Sequence, residues 1–387
     1  MMDFSFEDHA YNRLISKAGI SDKGSKALMI KAIIPMAVCW IPLAIITALN
    51  GTFWTGDITT SFITSFNTQT GFLISIPIFI MAERQVTLKL ALILNQFMNS
   101  GIVPRDEHDE FLQIIKKRTR FMKSHWTDLA VLLICYVQVF IVLSYESSST
   151  SLLSWQMNMT DGENTLNFVG FWSTAIARPF LLFLFYRWLL RIFVWGMILY
   201  NISRLHLNLF AVHPDLCGGL GFLGYSIRYF SPVAFAISVT VAGNIADFML
   251  IEGMHLVELK YTIAGYILFI TLLFTLPLMS FIGKLIDVRE KSIFENYDYT
   301  NGIFRELRIQ MSKGFYNVDV EDLKKPYYSS AADISTVIEN ALKMKFIPFT
   351  LKDMIPILVM SLVPFLGVVI IDVPVAELFK TIISFVM

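Results

Sequence analysis

A chain of 387 residues that is 55% hydrophobic and 16% charged, with a mean hydropathy of +0.60, cannot cover itself with a polar surface, which excludes a soluble globular domain. Its 31 basic and 31 acidic residues cancel, so no overall field draws it to nucleic acid or to an acidic partner. Three scattered cysteines, Cys39, Cys135 and Cys217, are too few for a disulfide framework and read as packing residues.

The N-terminal arm, residues 1–30, mixes acids and bases and lacks an apolar segment beside a small-residue cleavage site, so the first apolar run is expected to act as the targeting signal. A helix needs roughly 20 apolar residues to cross about 30 Å of hydrocarbon. The candidates are Lys31 to Leu49, Phe62 to Met81, Leu129 to Tyr145, Phe168 to Tyr200, Pro232 to Ile251, Tyr261 to Ile282 and Ile355 to Ile371. Period-two alternation is absent from these runs, so the expected fold is all-α, a polytopic transmembrane helical bundle of about seven spans. Residues 31–282 would form its first six spans, with a helical cytoplasmic insertion at 82–126; residues 283–354 would be a cytoplasmic helical region and 355–387 a last span with an amphipathic tail.

Basic residues near span ends stay on the cytoplasmic side. The stretches Asn50 to Gln69 and Glu146 to Asn167 contain no Lys or Arg, whereas Gly283 to Met354 contains eleven, and the arm and the 82–126 insertion are also rich in them. The expectation is a multi-pass protein of a cell's inner membrane with its N-terminus in the cytoplasm; the side of the C-terminus stays open. The insertion keeps helical periodicity past the membrane and stops at Gly101 and Pro104, and a helix is expected to start near Ser330 or Asp333.

Polar residues inside apolar runs are the candidate functional groups, because a charge at mid-bilayer costs at least about 2.5–3.5 kcal/mol unless it faces protein or water. Arg178 falls near mid-depth of its run, beside Pro179. Its expected partner is Asp247, with Asn244 one turn away on the same helical face. Asn67, Thr68 and Gln69 occupy the outer half of the second run and suggest a wet cavity or pore lining, against the alternative of an outer loop with the helix starting near Gly71. Arg187 and Arg191 share a face nearer the inner interface, where snorkelling to lipid phosphates or holding a phosphate group is expected.

After the fourth run, His213, Pro214 and Asp215 make a turn, and Gly218, Gly219 and Gly221 allow positive φ or close approach. The segment has no Walker spacing, so a structural turn outweighs a phosphate loop; His206, His213 and Asp215 could meet as a metal site only if the loop held them together. The run FYRWLLRIFVWGMILYNISRLHLNLFAVHPDLCGGLGFLG resembles a segment of a family of bacterial inner-membrane proteins marked by a His-Pro-Asp turn followed by Gly-Gly-Leu-Gly-Phe. The resemblance covers roughly a tenth of the chain and implies a bacterial envelope setting, with no particular chemistry.

No HExxH, GxSxG, Walker, Rossmann or Cys-x-x-Cys signature occurs, which leans against an enzyme and suggests neither cofactor nor metal. The first reading is an oligomeric channel or transporter for ions or small solutes, using Arg178, Asp247 and the polar half of the second span. A membrane-anchored sensor or scaffold that signals to a cytoplasmic protein partner through its helices is the alternative, and a lipid-modifying enzyme with His213 and Asp215 as acid and base is a third. The expected partners are the lipid bilayer and further copies of the chain.

Overall fold

A computed structural model describes residues 24–146, 154–160, 163–312, 336 and 338–372. The expectations placed on the arm before residue 24, on a helix start at Ser330 or Asp333, and on the tail beyond Asp372 lie outside the described residues. Helix α1 is Ser25–Leu49. Helix α2 is continuous through Phe66–Gln69, a π-helical turn Thr70–Ser75 and Ile76–Asn99. It is followed by α3 (His108–Met122) and α4 (His125–Glu146). Helix α5 joins Phe168–Trp172, a second π-helical turn Ser173–Ala177 and Arg178–Ile202. Then come α6 (Gly224–Tyr229), α7 (Ser231–Glu252), α8 (Lys260–Thr275), α9 (Ile282–Ser312) and α10 (Leu351–Asp372).

Among the described residues, six helical segments are long and apolar enough to cross a membrane: Lys26–Leu49, His125–Ser144, Phe168–Ile202, Gly221–Glu252, Lys260–Gly302 and Leu351–Asp372. They carry apolar side chains on their outer faces, among them Ile33 and Ile45 of α1, Leu133 and Phe140 of α4, and Val359 and Leu366 of α10, all exposed. In water such faces would be a continuous apolar patch, so hydrocarbon is their solvent and the chain is a helical membrane protein. Helix α2, expected as a span over Phe62 to Met81, starts instead at Phe66 and is not among the six. It nevertheless runs the length of the bundle interior. Its first turn meets Asp247 near one end, and at the other Phe97 lies 5.1 Å from the Phe222 ring and 6.1 Å from that of Phe281.

Among the described residues, strands occur in one antiparallel hairpin, Met157–Thr160 with Glu163–Leu166, at the head of α5. Asn167 caps α5 by accepting from the Gly170 N–H at 2.8 Å and donates to the Trp155 carbonyl at 2.9 Å. Trp155 is fully buried and meets Phe62 edge-on at 5.1 Å, so the segment before the hairpin closes over the loop that precedes α2.

Both π-helical turns precede a proline, Pro77 and Pro179, at the start of the α-helix that follows. Proline has no N–H and its ring presses on the preceding turn, so the backbone widens there. Helices α7 and α10 make the most extensive helix contact and run parallel. At one end Asp353 accepts from Arg228 at 2.7 and 3.0 Å and from the Thr350 N–H at 2.8 Å, the return bond of a capping box. At the other end Asp372 lies 3.0 Å from His255 Nδ1 and accepts from the Leu256 N–H at 3.1 Å.

Helix α7 approaches α2 at Gly243, where an added Cβ would meet Thr70 Oγ1 at 2.1 Å and the Phe66 carbonyl at 2.9 Å. Gly243→Ala is expected to destabilise the bundle by about 1–3 kcal/mol, as overpacking does. Gly265→Ala, whose Cβ would meet nothing within 4 Å, should leave the thermal midpoint in detergent unchanged. Equal midpoints for the two variants would contradict this packing.

Candidate functional site

Four of the six intramembrane residues singled out from the sequence line one cavity. It has a volume of about 230 Å³, and its polar lining is Asn67, Thr68, Gln138, Arg178, Thr240 and Asn244. Its apolar lining is Phe72, Val139, Val142, Leu181 and Leu182. The wall is therefore shared by α2, α4, α5 and α7. Both π-helical turns border it: Thr70–Ser75 follows Asn67 and Thr68, and Ser173–Ala177 ends immediately before Arg178. A π turn shifts the side chains that follow it by about one position relative to an α-helix, a distortion often found at functional sites.

The other two residues brace this cavity from behind. Asp247 accepts from the backbone N–H groups of Phe66 at 2.6 Å and Asn67 at 3.0 Å, capping α2 from the neighbouring helix. The expected Arg178–Asp247 pair thus takes a different form, in which the carboxylate oxygens receive backbone donors and Arg178 acts on Asp247 through its charge. Four N–H groups at a helix start have no partner within the helix, and an acid placed there also meets the positive end of the helix dipole. Gln69, expected in the lining, accepts from Trp40 Nε1 at 2.7 Å and donates to the Phe62 carbonyl at 2.9 Å, tying α1 and the preceding loop to α2.

Arg187 and Arg191 lie about 14 Å and 20 Å further along α5 than Arg178 at 1.5 Å per residue. Expected at a lipid-facing interface, they are instead 0% and 2% exposed, in the interior. Arg191 donates to Glu83 at 2.6 Å and stacks its guanidinium 4.6 Å from the Trp188 ring; Arg187 lies 3.0 Å from Asp128 and donates to the Met122 carbonyl at 3.1 Å. Lys31, also buried, adds its charge around Glu83. Facing carboxylates at fixed distance satisfy these cations better than mobile lipid phosphates would, because the low dielectric strengthens every direct contact. The fully buried rings of Phe79, Trp188, Phe230 and Phe274 lie beside this charge layer, with Trp188 Nε1 donating to the Phe79 carbonyl at 3.1 Å.

The His-Pro-Asp turn is organised around Asp215. Its Oδ1 accepts from the N–H groups of Cys217 at 2.8 Å and Gly219 at 3.1 Å, and its Oδ2 from that of Gly221 at 2.7 Å. Gly218 and Gly219 have φ of 68° and 93°, and a Cβ at Gly221 would meet Asp215 Oδ2 at 2.9 Å, so the glycines let the loop wrap the carboxylate. Burial acts to raise the Asp215 pKa, but the three backbone donors and His213, 2.8 Å away, outweigh it and hold the acid below its usual range. Both oxygens are engaged by main-chain donors, an arrangement suited to fixing a turn rather than to passing protons. Burial pushes the neighbouring Cys217 thiol up to about 11, which keeps it out of nucleophilic chemistry at neutral pH. His206 pairs with Glu107 at 2.6 Å instead of joining His213, and among the described residues no three of His, Cys, Asp and Glu gather to hold a metal.

Gln138 and Thr240 of the cavity, and Glu83, Asp128 and Lys31 of the charge layer, are functional-looking residues that the sequence reading missed. Gln138 alone carried a visible signal, an amide within the apolar run Leu129 to Tyr145. No protein family, curated protein or solved structure matches this chain.

Removing one partner of a buried ion pair leaves the other charge desolvated, so Glu83→Gln is expected to lower stability by about 3–5 kcal/mol, and adding Arg191→Met should recover part of that loss. Thermal melting in detergent reads both, and an undiminished loss in the double variant would show that the pair is not the cause. Because its native pKa is depressed, Asp215 contributes stability that is complete above the unfolded-state value and disappears as pH falls through the native one. Wild type should therefore lose stability relative to Asp215→Asn only below about pH 4. A difference between the two that narrows already between pH 7 and 5 would contradict this.

Proposed function

We propose that this protein is a transporter for small polar solutes, residing in a bacterial inner membrane with its N-terminus on the cytoplasmic side and α2 completing seven crossings. The observation that carries the reading is the Arg178 cavity. A polar pocket of about 230 Å³, set among helices that present apolar faces to lipid, carries a large desolvation cost unless it serves a polar occupant. Helices broken by π turns and prolines at the pocket wall are the usual way in which membrane proteins expose polar groups at depth. The Glu83–Arg191 and Arg187–Asp128 pairs and the aromatic rings beside them favour a carrier that opens to alternate sides over an open channel, since they fill the bundle between the cavity and the basic loops.

A membrane-anchored sensor is the second reading, favoured by α9. That helix continues for 31 residues from the end of the bundle and exposes Phe294, Tyr297 and Phe304. At 1.5 Å per residue it is about 46 Å long, enough to reach a partner beyond the lipid headgroups.

Purified protein in liposomes should take up small solutes faster than empty liposomes do. Asn67→Leu and Thr240→Val, which make the cavity wall apolar, should each slow uptake at least about tenfold, the scale of one lost polar contact. Leu268→Ala on the lipid-facing side of α8 should not. Wild-type uptake no faster than that of empty liposomes across inorganic ions, carboxylates and neutral polyols would overturn the transport reading.

A further inference from the structure

We propose that the groove between α1, α4 and α5 binds an anionic phospholipid, with an acyl chain along the groove and the headgroup phosphate against the α3–α4 turn. The site lies on the outside of the bundle and does not depend on whether the central cavity carries a solute. The groove has a volume of about 600 Å³. Its wall includes Ile34 and Val38 of α1, Leu129 and Leu132 of α4, and Ile176 and Phe183 of α5. His125 stands at one end, and the acid of the wall, Asp128, is engaged by Arg187 at 3.0 Å. A concave apolar surface in hydrocarbon gains its dispersion contacts only when a chain lies in it, since a gap forfeits them.

The length of the groove identifies what fits. The Tyr136 hydroxyl donates to the Ala175 carbonyl at 3.1 Å, a bond that crosses from α4 to α5. From His125 to Tyr136 is about 16 Å at 1.5 Å per residue, and half of a hydrocarbon core is about 15 Å. Beyond the crossing, the same stripe of α4 continues with Phe140 and Leu143 into a second groove of about 560 Å³, against Leu166 and Phe171. A transmembrane helix of another molecule would have to pass the crossing at mid-depth. An acyl chain entering from one leaflet ends there.

The open end carries the charge that selects the headgroup. Thr127 Oγ1 donates to the Phe121 carbonyl at 2.8 Å, folding the end of α3 against the start of α4. Helix α3 buries Phe111, Ile115 and Met122 and leaves Lys116, Lys117 and Arg120 exposed. Between Phe111 and Thr127 the chain also has Arg118 and Lys123, and no Asp or Glu. Phe121 and Trp126, both exposed, flank the turn. Aromatic side chains beside Lys and Arg are the anchors of a membrane–water interface, and clustered bases at that level attract anionic headgroups. A choline headgroup would bring a cation of its own to the same place.

The test is native mass spectrometry of the full chain in detergent, titrated with phosphatidylglycerol, with phosphatidylcholine of the same acyl chains, and with glycerol 3-phosphate. Wild type should bind phosphatidylglycerol at least about tenfold more tightly than phosphatidylcholine, and glycerol 3-phosphate should not displace it. Lys116→Gln, Lys117→Gln and Arg120→Gln together should weaken phosphatidylglycerol at least about tenfold and leave phosphatidylcholine unchanged. Leu132→Trp, which fills the groove, should weaken both lipids, whereas Leu133→Trp on the outward face of α4 should weaken neither. Equal melting midpoints without added lipid show that the variants fold; if Leu132→Trp does not, Val38→Phe takes its place. Equal binding of the two lipids by wild type, or a preference that survives in the triple variant, overturns the proposal. Displacement by glycerol 3-phosphate at equal concentration reveals a soluble-phosphate site and overturns the lipid assignment. Lipid binding that the groove-filling variant leaves intact overturns the groove as its seat. A wild-type dimer that the groove-filling variant dissociates, with no lipid bound, gives the groove to a second copy of the chain and overturns the proposal as well.

Discussion

Two hydrogen bonds, from the Phe66 and Asn67 amides to Asp247, set where the interior helix begins, and much of the bundle is arranged around that start. A helix that begins among packed helices leaves backbone donors where water is scarce, and an unmet donor there costs free energy comparable to a whole hydrogen bond. Supplying the acceptor from α7 satisfies the donors and locks the two helices in register. Gly243, one turn earlier on α7, removes the side chain that would otherwise hold them apart. Once α2 starts there, Asn67 and Thr68 must face α4 and α5, and the polar cavity follows.

Below the cavity the same economy is met with charge. Glu83, Arg191, Arg187 and Asp128 come from three helices and are buried together with Lys31. Buried ion pairs give little net stability, because desolvation offsets the attraction, but a mismatched arrangement is penalised heavily. Their effect is therefore on which packing of α1, α2, α4 and α5 is allowed. The Trp188 indole adds to that selection by bonding the Phe79 carbonyl across the α2–α5 contact.

The apolar runs were legible because hydrocarbon demands length and composition and little else: α1, α4, α5, α7, α8 and α10 begin or end within a few residues of the runs read from the chain. Arg178, Asn244, Asn67 and Thr68 were legible as a group because each is anomalous where it stands, and anomalous polar groups in a membrane have few places to go except towards one another. Their partners were not legible. Asp247 bonds main-chain amides, which no residue letter announces, and Arg191 meets Glu83 across 108 positions, a pairing set by helix packing. Arg187 and Arg191 looked like interfacial residues because the sequence shows their depth and hides the acids opposite them. The Asp215 turn was readable from its glycines, yet the wrapping of the carboxylate by three amides depends on backbone angles that only the folded loop displays.

Helices α7 and α10 are fastened at both ends, by Arg228 with Asp353 and by His255 with Asp372. Contacts at both ends of a parallel pair oppose sliding of one helix along the other. Thr240 and Asn244 are the part of the cavity wall that belongs to this pair. Helix α4 stands at the other extreme: among the described residues its one extensive helix contact is with α5, and Leu133, Val137, Phe140 and Ile141 look outward. Gln138 therefore rides on the helix that, of the four lining the cavity, is fastened to the fewest neighbours among the described residues.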